Sequence, residues 1–295
     1  LNYACVGGTG FEYSTDPGMT GYTWSVSSGG TITGGSGTHS ITVSWNASGL
    51  QHVTVSYTDQ HGCLSVVPTI FDVSVNERPV PTLTGTASAC VGSTGNTYTT
   101  QTGMMQYEWT VSAGGTILTN PSDHASSIVV AWSSTGNQWV KVNYINLSGC
   151  NAVTPATFFC TVHPLPVPTV TGPSDVCLNS TGNMYRTEAG KTNYSWTLSP
   201  GGIITAGGTA TSDSVQITWT SSGIKTVKVN YVNLDLCSAS QPSTLTVTVR
   251  ELPVPVITGP ATGCPATTGN IYTTEAGMSN YIWTISTGGV IAAGQ

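Results

Sequence analysis

A whole-domain period governs this chain. Cys90, Cys177 and Cys264 are spaced by 87 residues, and Cys5 precedes Cys90 by 85. Trp24, Trp109, Trp196 and Trp283 keep that spacing, as do Trp45, Trp132 and Trp219 and the second cysteines Cys63, Cys150 and Cys237. Pro-Val-Pro recurs at 79–81, 166–168 and 253–255. Solenoids and propellers repeat every ~20–50 residues, so a unit of this length is a domain, and the domains stand in tandem. The period divides the 295 residues into 1–78, 79–165, 166–252 and a partial unit 253–295. Leu1 aligns with Thr86, so the first unit is expected to lack its opening strand, and Gln295 falls about halfway through the fourth. The stretch reads as a window on a longer array.

Inside each unit the apolar residues alternate, which is the signature of half-buried strands. In the second unit Tyr107, Trp109 and Val111 share a face, as do Ile128, Val130 and Trp132, then Val140, Val142 and Tyr144, then Phe158, Cys160 and Val162. The third unit repeats this with Val215, Ile217, Trp219; Val227, Val229, Tyr231; and Leu245, Val247, Val249. Turn formers such as Ser-Ala-Gly-Gly-Thr separate the runs. About seven short strands per unit, each with one polar face, predict an all-β fold of tandem antiparallel sandwiches.

Charged residues make up 7% of the chain, against roughly 25% in an average soluble domain. Seven Lys and Arg against thirteen Asp and Glu leave a formal net charge of −6. Nucleic acid and anionic membranes are excluded as partners, because both need clustered cations. No apolar run is long enough to span a bilayer. A surface of Thr, Ser, Asn and Gly repels its own copies weakly, so lateral packing into a fibre is physically easy.

The cysteines are read as one disulfide per unit: Cys5 with Cys63, Cys90 with Cys150 and Cys177 with Cys237, separated by 58, 60 and 60 residues. In an immunoglobulin-type sandwich these points can meet across the sheets. Each would close a loop contributing about 4 kcal/mol in the chain-entropy model. Zinc is the alternative, but no Cys-x-x-Cys pair is present. Disulfides imply an oxidising, extracellular setting. Cys264 is left without a partner in this stretch. Cys160 stands where other units have Val73 and Val247, and is read as a buried, inert thiol.

No catalytic constellation rises above background, so no enzyme activity and no cofactor is expected. His39, His52, His61, His124 and His163 show no metal spacing, and no Asp-rich calcium run occurs. Ser222 to Lys225 matches Ser-x-x-Lys but falls in a turn, where that nucleophile would need a helix. The glycine-rich stretch Ala89 to Thr100 leads into a strand, whereas a phosphate cradle needs a helix N-terminus. Most Trp and Tyr residues face inward, with Trp139 the exception. Asn46, Asn146, Asn179 and Asn193 are sequons.

The run PVPTVTGPSDVCLNSTGNMYRTEAGKTNYSWTLSPGG followed by VQITWTSSGIKTVKVNYVNLDLC resembles the PKD-like, Ig-like repeats of Bacteroidota cell-surface proteins, including gliding-motility adhesins exported by the type IX system. The resemblance covers every unit. The chain departs from the better known PKD domains in lacking their Trp-Asp-Phe-Gly-Asp-Gly run. Asp213-Ser214-Val215 resembles the O-glycosylation signal of such proteins, which makes Ser214 a candidate site. The resemblance implies a non-catalytic, surface-displayed stalk or adhesive filament, with partners in neighbouring repeats, other copies of the chain or surface glycans. The proline-rich junctions favour an extended, semi-rigid path and hence a rod. A carbohydrate-binding accessory array attached to a secreted enzyme is the alternative, and it predicts exposed aromatics recurring in every unit.

Overall fold

The computed structural model describes residues 3–119 and 125–294. His124 lies outside them. Within this range the chain is all-β and forms three sandwich domains, one per full repeat. The first comprises β1 (Tyr3–Cys5), β2 (Gly8–Ser14), β3 (Thr20–Val26), β4 (Gly30–Gly34), β5 (Ser40–Trp45), β6 (Gly49–Thr58) and β7 (Thr69–Asn76). The second comprises β8 (Thr84–Gly85), β9 (Ser88–Cys90), β10 (Asn96–Thr99), β11 (Met105–Val111), β12 (Gly115–Ile117), β13 (Ser127–Trp132), β14 (Gly136–Ile145) and β15 (Ala156–His163). The third comprises β16 (Asp175–Cys177), β17 (Asn183–Arg186), β18 (Thr192–Leu198), β19 (Gly202–Gly207), β20 (Ser214–Trp219), β21 (Gly223–Val232) and β22 (Ser243–Arg250).

Each sandwich repeats one topology. In the second, β9-β15-β14-β11 faces β8-β10-β13-β12; the first pairs β1-β7-β6-β3 with β2-β5-β4, and the third pairs β16-β22-β21-β18 with β17-β20-β19. The ladders are antiparallel except at one edge. There the short lead strand runs parallel to the last strand, matching Cys5 to Asn76, Cys90 to His163 and Cys177 to Arg250. The chain thus places each lead cysteine beside the residue from which it departs toward the next repeat.

The alternating residues fill the cores. Trp45, Trp132 and Trp219 are at most 1% exposed. Trp132 donates its indole N–H to the Tyr98 hydroxyl at 3.2 Å, and the two rings meet edge-on at 6.3 Å; Trp45 and Tyr13 repeat the arrangement at 3.0 and 6.3 Å. The second glycine of each Gly-Gly turn lies against this indole: a Cβ on Gly115 would come within 2.6 Å of the Trp132 ring. Cys160 is fully buried in the second core, and burial pushes its thiol pKa up. A tyrosine closes the loop before the Tyr-x-Trp strand of each repeat. The Tyr107 hydroxyl donates to the Gln101 carbonyl and accepts the Met104 N–H, and Tyr194 does the same with Glu188 and Lys191.

The disulfide pairing read from sequence is corrected. The bonds are Cys5–Cys150 and Cys90–Cys237, not Cys5–Cys63, Cys90–Cys150 or Cys177–Cys237, and Cys63 and Cys177 are exposed free thiols. The ladder supplies the reason. Cys63 sits in the turn of the β6–β7 hairpin, whereas Cys5 lies beside Asn76 at the far end of β7. The seven residue steps from Thr69 to Asn76 span about 23 Å, and a disulfide tolerates a Cα–Cα distance of only about 4.4–6.8 Å. The two cysteines of a repeat occupy opposite ends of the hairpin.

The chain divides into two compact units, residues 1–167 with 232–240, and residues 168–231 with 241–295. The cysteine loop of the third repeat therefore belongs to the unit that holds the second.

Candidate functional site: the inter-repeat cysteine staple

Each staple joins a lead cysteine to a loop cysteine of the following repeat. Both bonds span a Cα–Cα distance of 5.7 Å and sequence separations of 145 and 147 residues. The loop is built by an Asx turn four residues before its cysteine. The Asn146 side-chain oxygen accepts the Ser148 and Cys150 N–H groups, and the Asn146 N–H donates to the Cys150 carbonyl at 2.9 Å. Asn233 does the same with Asp235 and Cys237, and Asp59 with His61 and Cys63. The sequence signal for this loop is the recurring Asp/Asn-x-x-x-Cys in Asp-Gln-His-Gly-Cys, Asn-Leu-Ser-Gly-Cys and Asn-Leu-Asp-Leu-Cys.

Polar contacts surround the first staple. Arg78 donates from Nε to the Val6 carbonyl at 2.7 Å and from Nη1 to the Asn151 carbonyl and side-chain oxygen at 3.0 and 2.6 Å. Asn146 Nδ2 donates to the Glu77 carbonyl at 2.9 Å. Tyr3 lies over Gly149. At the second staple His163 Nδ1 lies 3.2 Å from Asp235 Oδ1. Cys150 and Cys237 are fully buried, unlike the exposed Cys63.

A side chain also clamps each junction strand. Gln101 accepts the Thr82 N–H and donates to the Val80 carbonyl, each at 3.0 Å, bracketing Pro81. In the third repeat Glu188 takes this place, accepting the Thr169 N–H at 3.0 Å, the Thr169 hydroxyl at 2.6 Å and the Thr187 hydroxyl at 2.7 Å. Burial opposes the Glu188 charge, but these donors outweigh it and hold the carboxyl at about 2. A depressed carboxyl contributes stability that is present above its ordinary pKa and lost as pH falls toward the folded value. Acidification from pH 5 to 2 is therefore expected to cost the third repeat about 1–2 kcal/mol, the shift being partly screened by solvent. Urea unfolding of wild type and Glu188→Gln at both pH values checks this; an unchanged pH slope in the variant would remove Glu188 as its source.

The remaining candidates do not converge. Asn46, Asn179 and Asn193 are exposed, Ser214 opens β20 and is partly buried, and Asn146 spends its amide on the loop and on Glu77. Cys264 is an exposed free thiol. Lys225 donates to Ser221, while Ser222 donates to Glu251. His52 pairs with Asp72 at 2.7 Å and His61 lies 3.7 Å from Asp59. Among the described residues, no group of three His, Cys, Asp or Glu side chains is placed to hold a metal. The half-buried Trp139 carries the Lys141 ammonium 4.5 Å from its ring centre and opposes the exposed Phe159. The same cross-strand pair is His52 with Asp72 in the first repeat and Thr226 with Thr246 in the third, so no common aromatic platform exists at that position.

These features define a tandem array of antiparallel β-sandwiches whose successive members are joined by disulfides. The chain belongs to the PKD-like domain family, whose model matches residues 2–70, 77–158, 163–247 and 251–295. Among curated proteins none matches it. Among solved structures it is similar to the Escherichia coli adhesin FdeC, at 13% identity and a TM-score of 0.34 over 85% of this chain and 95% of that one. It is similar to invasin, a bacterial integrin-binding protein, at 17% and 0.35 over 83% and 54%. It is also similar to fibronectin(III)-like modules of Clostridium thermocellum CbhA, at 13% and 0.31 over 55% and 90%. At these identities and scores the likeness carries no argument about activity. No helix among the described residues is long and apolar enough to cross a membrane.

Proposed function

We propose that this chain is a non-catalytic structural segment of a large extracellular surface protein, serving as a stiff stalk or as part of a filament in a Bacteroidota-type adhesin. The observation that carries this reading is that both disulfides join one repeat to the next rather than closing each repeat on itself. A bond inside a sandwich protects that sandwich against unfolding. A bond across a junction instead restrains bending and carries tension past the linker, which is what a stalk needs. The proline junctions and their Gln101 and Glu188 clamps act in the same direction, by removing slack that a Gly/Ser linker would have. Disulfides of this kind persist in an oxidising, extracellular setting.

Small-angle scattering of the oxidised chain is expected to give an extended particle. A compact globule would sink the stalk reading. The carbohydrate-array alternative has less support, because the recurrent tryptophans fill cores and Trp139 has no aromatic counterpart in its sister repeats. Reproducible binding of the chain to a glycan array would reverse that ranking.

A further inference from the structure

We propose that Cys63 and Cys177 are open halves of the same staple, each taking the reciprocal cysteine of another PKD-like repeat. The two thiols are not isolated cysteines. The positions equivalent to each are disulfide-bonded elsewhere in this chain, Cys150 and Cys237 for Cys63, and Cys5 and Cys90 for Cys177. Their local structure is already that of the bonded copies. Cys177 closes a lead strand in parallel register with the last strand, opposite Arg250, as Cys5 is opposite Asn76 and Cys90 opposite His163. Cys63 ends an Asx loop whose three hydrogen bonds, two to the Asp59 side-chain oxygen and one between backbones, match those of the Cys150 and Cys237 loops, with Asp59 in the place of Asn146 and Asn233. Both are exposed, where the bonded loop cysteines are fully buried. The loop is thus formed before the bond rather than by it, and what covers it is another sandwich.

The rule the two observed bonds share is directional: a lead cysteine pairs with the loop cysteine of the repeat that follows. Cys63 therefore takes a lead cysteine from a repeat placed ahead of it, and Cys177 takes a loop cysteine from a repeat placed after it. Each bond forms from two thiols that give up two protons and two electrons. The electrons pass to the disulfide of a thiol–disulfide oxidoreductase, which leaves as a dithiol after exchange through a mixed disulfide. The reciprocal repeat has two sources, another repeat of the same polypeptide or a second copy of this chain, and the chemistry is common to both.

The test is disulfide mapping of the polypeptide as its own cell exports it, alkylated at harvest and digested without reduction. Cys63 is expected in a bond to a lead cysteine, and Cys177 in a bond to a cysteine that follows an Asp or Asn by four residues. A Cys63–Cys177 peptide, with high-mass bands that collapse on reduction, assigns the partner to a second copy. A partner peptide from outside this stretch, with no such bands, assigns it to the same polypeptide. Recovery of either cysteine as the alkylated thiol, as a glutathione adduct, or bonded within its own repeat to Cys5 or Cys237 overturns the proposal. The outcome is separable from the stalk reading, because scattering reports shape whatever these two thiols hold.

Discussion

Pulled between handles placed ahead of Cys5 and after Cys237, the oxidised chain is expected to lengthen across that span to no more than about 200 Å, against roughly 800 Å after reduction. The limit follows from covalent connectivity alone. With Cys5 bonded to Cys150 and Cys90 to Cys237, the shortest covalent route enters at Cys5, crosses to Cys150, returns along the chain to Cys90 and leaves at Cys237. Only the residues between 90 and 150 lie on that route, and they are traversed backwards. The loops 5–90 and 150–237 stay slack. Bonds closed within each repeat would instead leave residues 63–90 and 150–177 on the route, so that β7 and β15 would be drawn out of their sheets in two smaller steps. A force–extension trace of the oxidised chain should therefore show one large event from the second repeat. Two smaller releases in its place, one from residues 63–90 and one from 150–177, would point to the intra-repeat pairing and overturn the staple.

Trp132→Ala is expected to cost the second sandwich about 3–5 kcal/mol, the range for removing a fully buried large aromatic side chain. Trp132 is 1% exposed, packs edge-on to Tyr98 and backs onto Gly115. Domains of this size are stable by about 5–15 kcal/mol, so the loss is a large share of the total. Trp45→Ala should cost the first sandwich a similar amount, since Trp45 occupies the same place. Urea unfolding followed by tryptophan fluorescence measures both. Pulling separates them: with the staples closed, Trp132→Ala should lower the force of the large event and Trp45→Ala should leave it unchanged, because residues 5–90 carry no load. Equal weakening by the two substitutions would contradict the proposed load path.

The strands were legible because their signal is local. A residue that alternates in and out of a pleated sheet advertises its face every second position, and the sets around Trp109, Trp132 and Tyr144 lie in one core as read. Cys160 could be placed for the same reason, from the valines that hold its position in other repeats. The clamp at Gln101 and Glu188 was invisible, since it is a hydrogen bond from a side chain to a backbone 19–21 residues upstream at a position the alternation does not mark. The Asx loops carried a readable pattern, yet a turn motif says nothing about what its cysteine meets.

The period of 87, written in cysteines, tryptophans and prolines, was sufficient to establish tandem β-sandwiches, because it is a property of spacing and alternation alone. Which cysteine meets which was decided only by the folded ladder. A separation of about 60 residues within a repeat and one of about 145 across two are both sterically open to an unfolded chain, and the loop-closure term that distinguishes them grows only logarithmically. The choice is made where β1 lies parallel to β7. That pairing carries Cys5 to the end of the sandwich opposite its own loop cysteine, and sets it against the loop of the repeat that comes next.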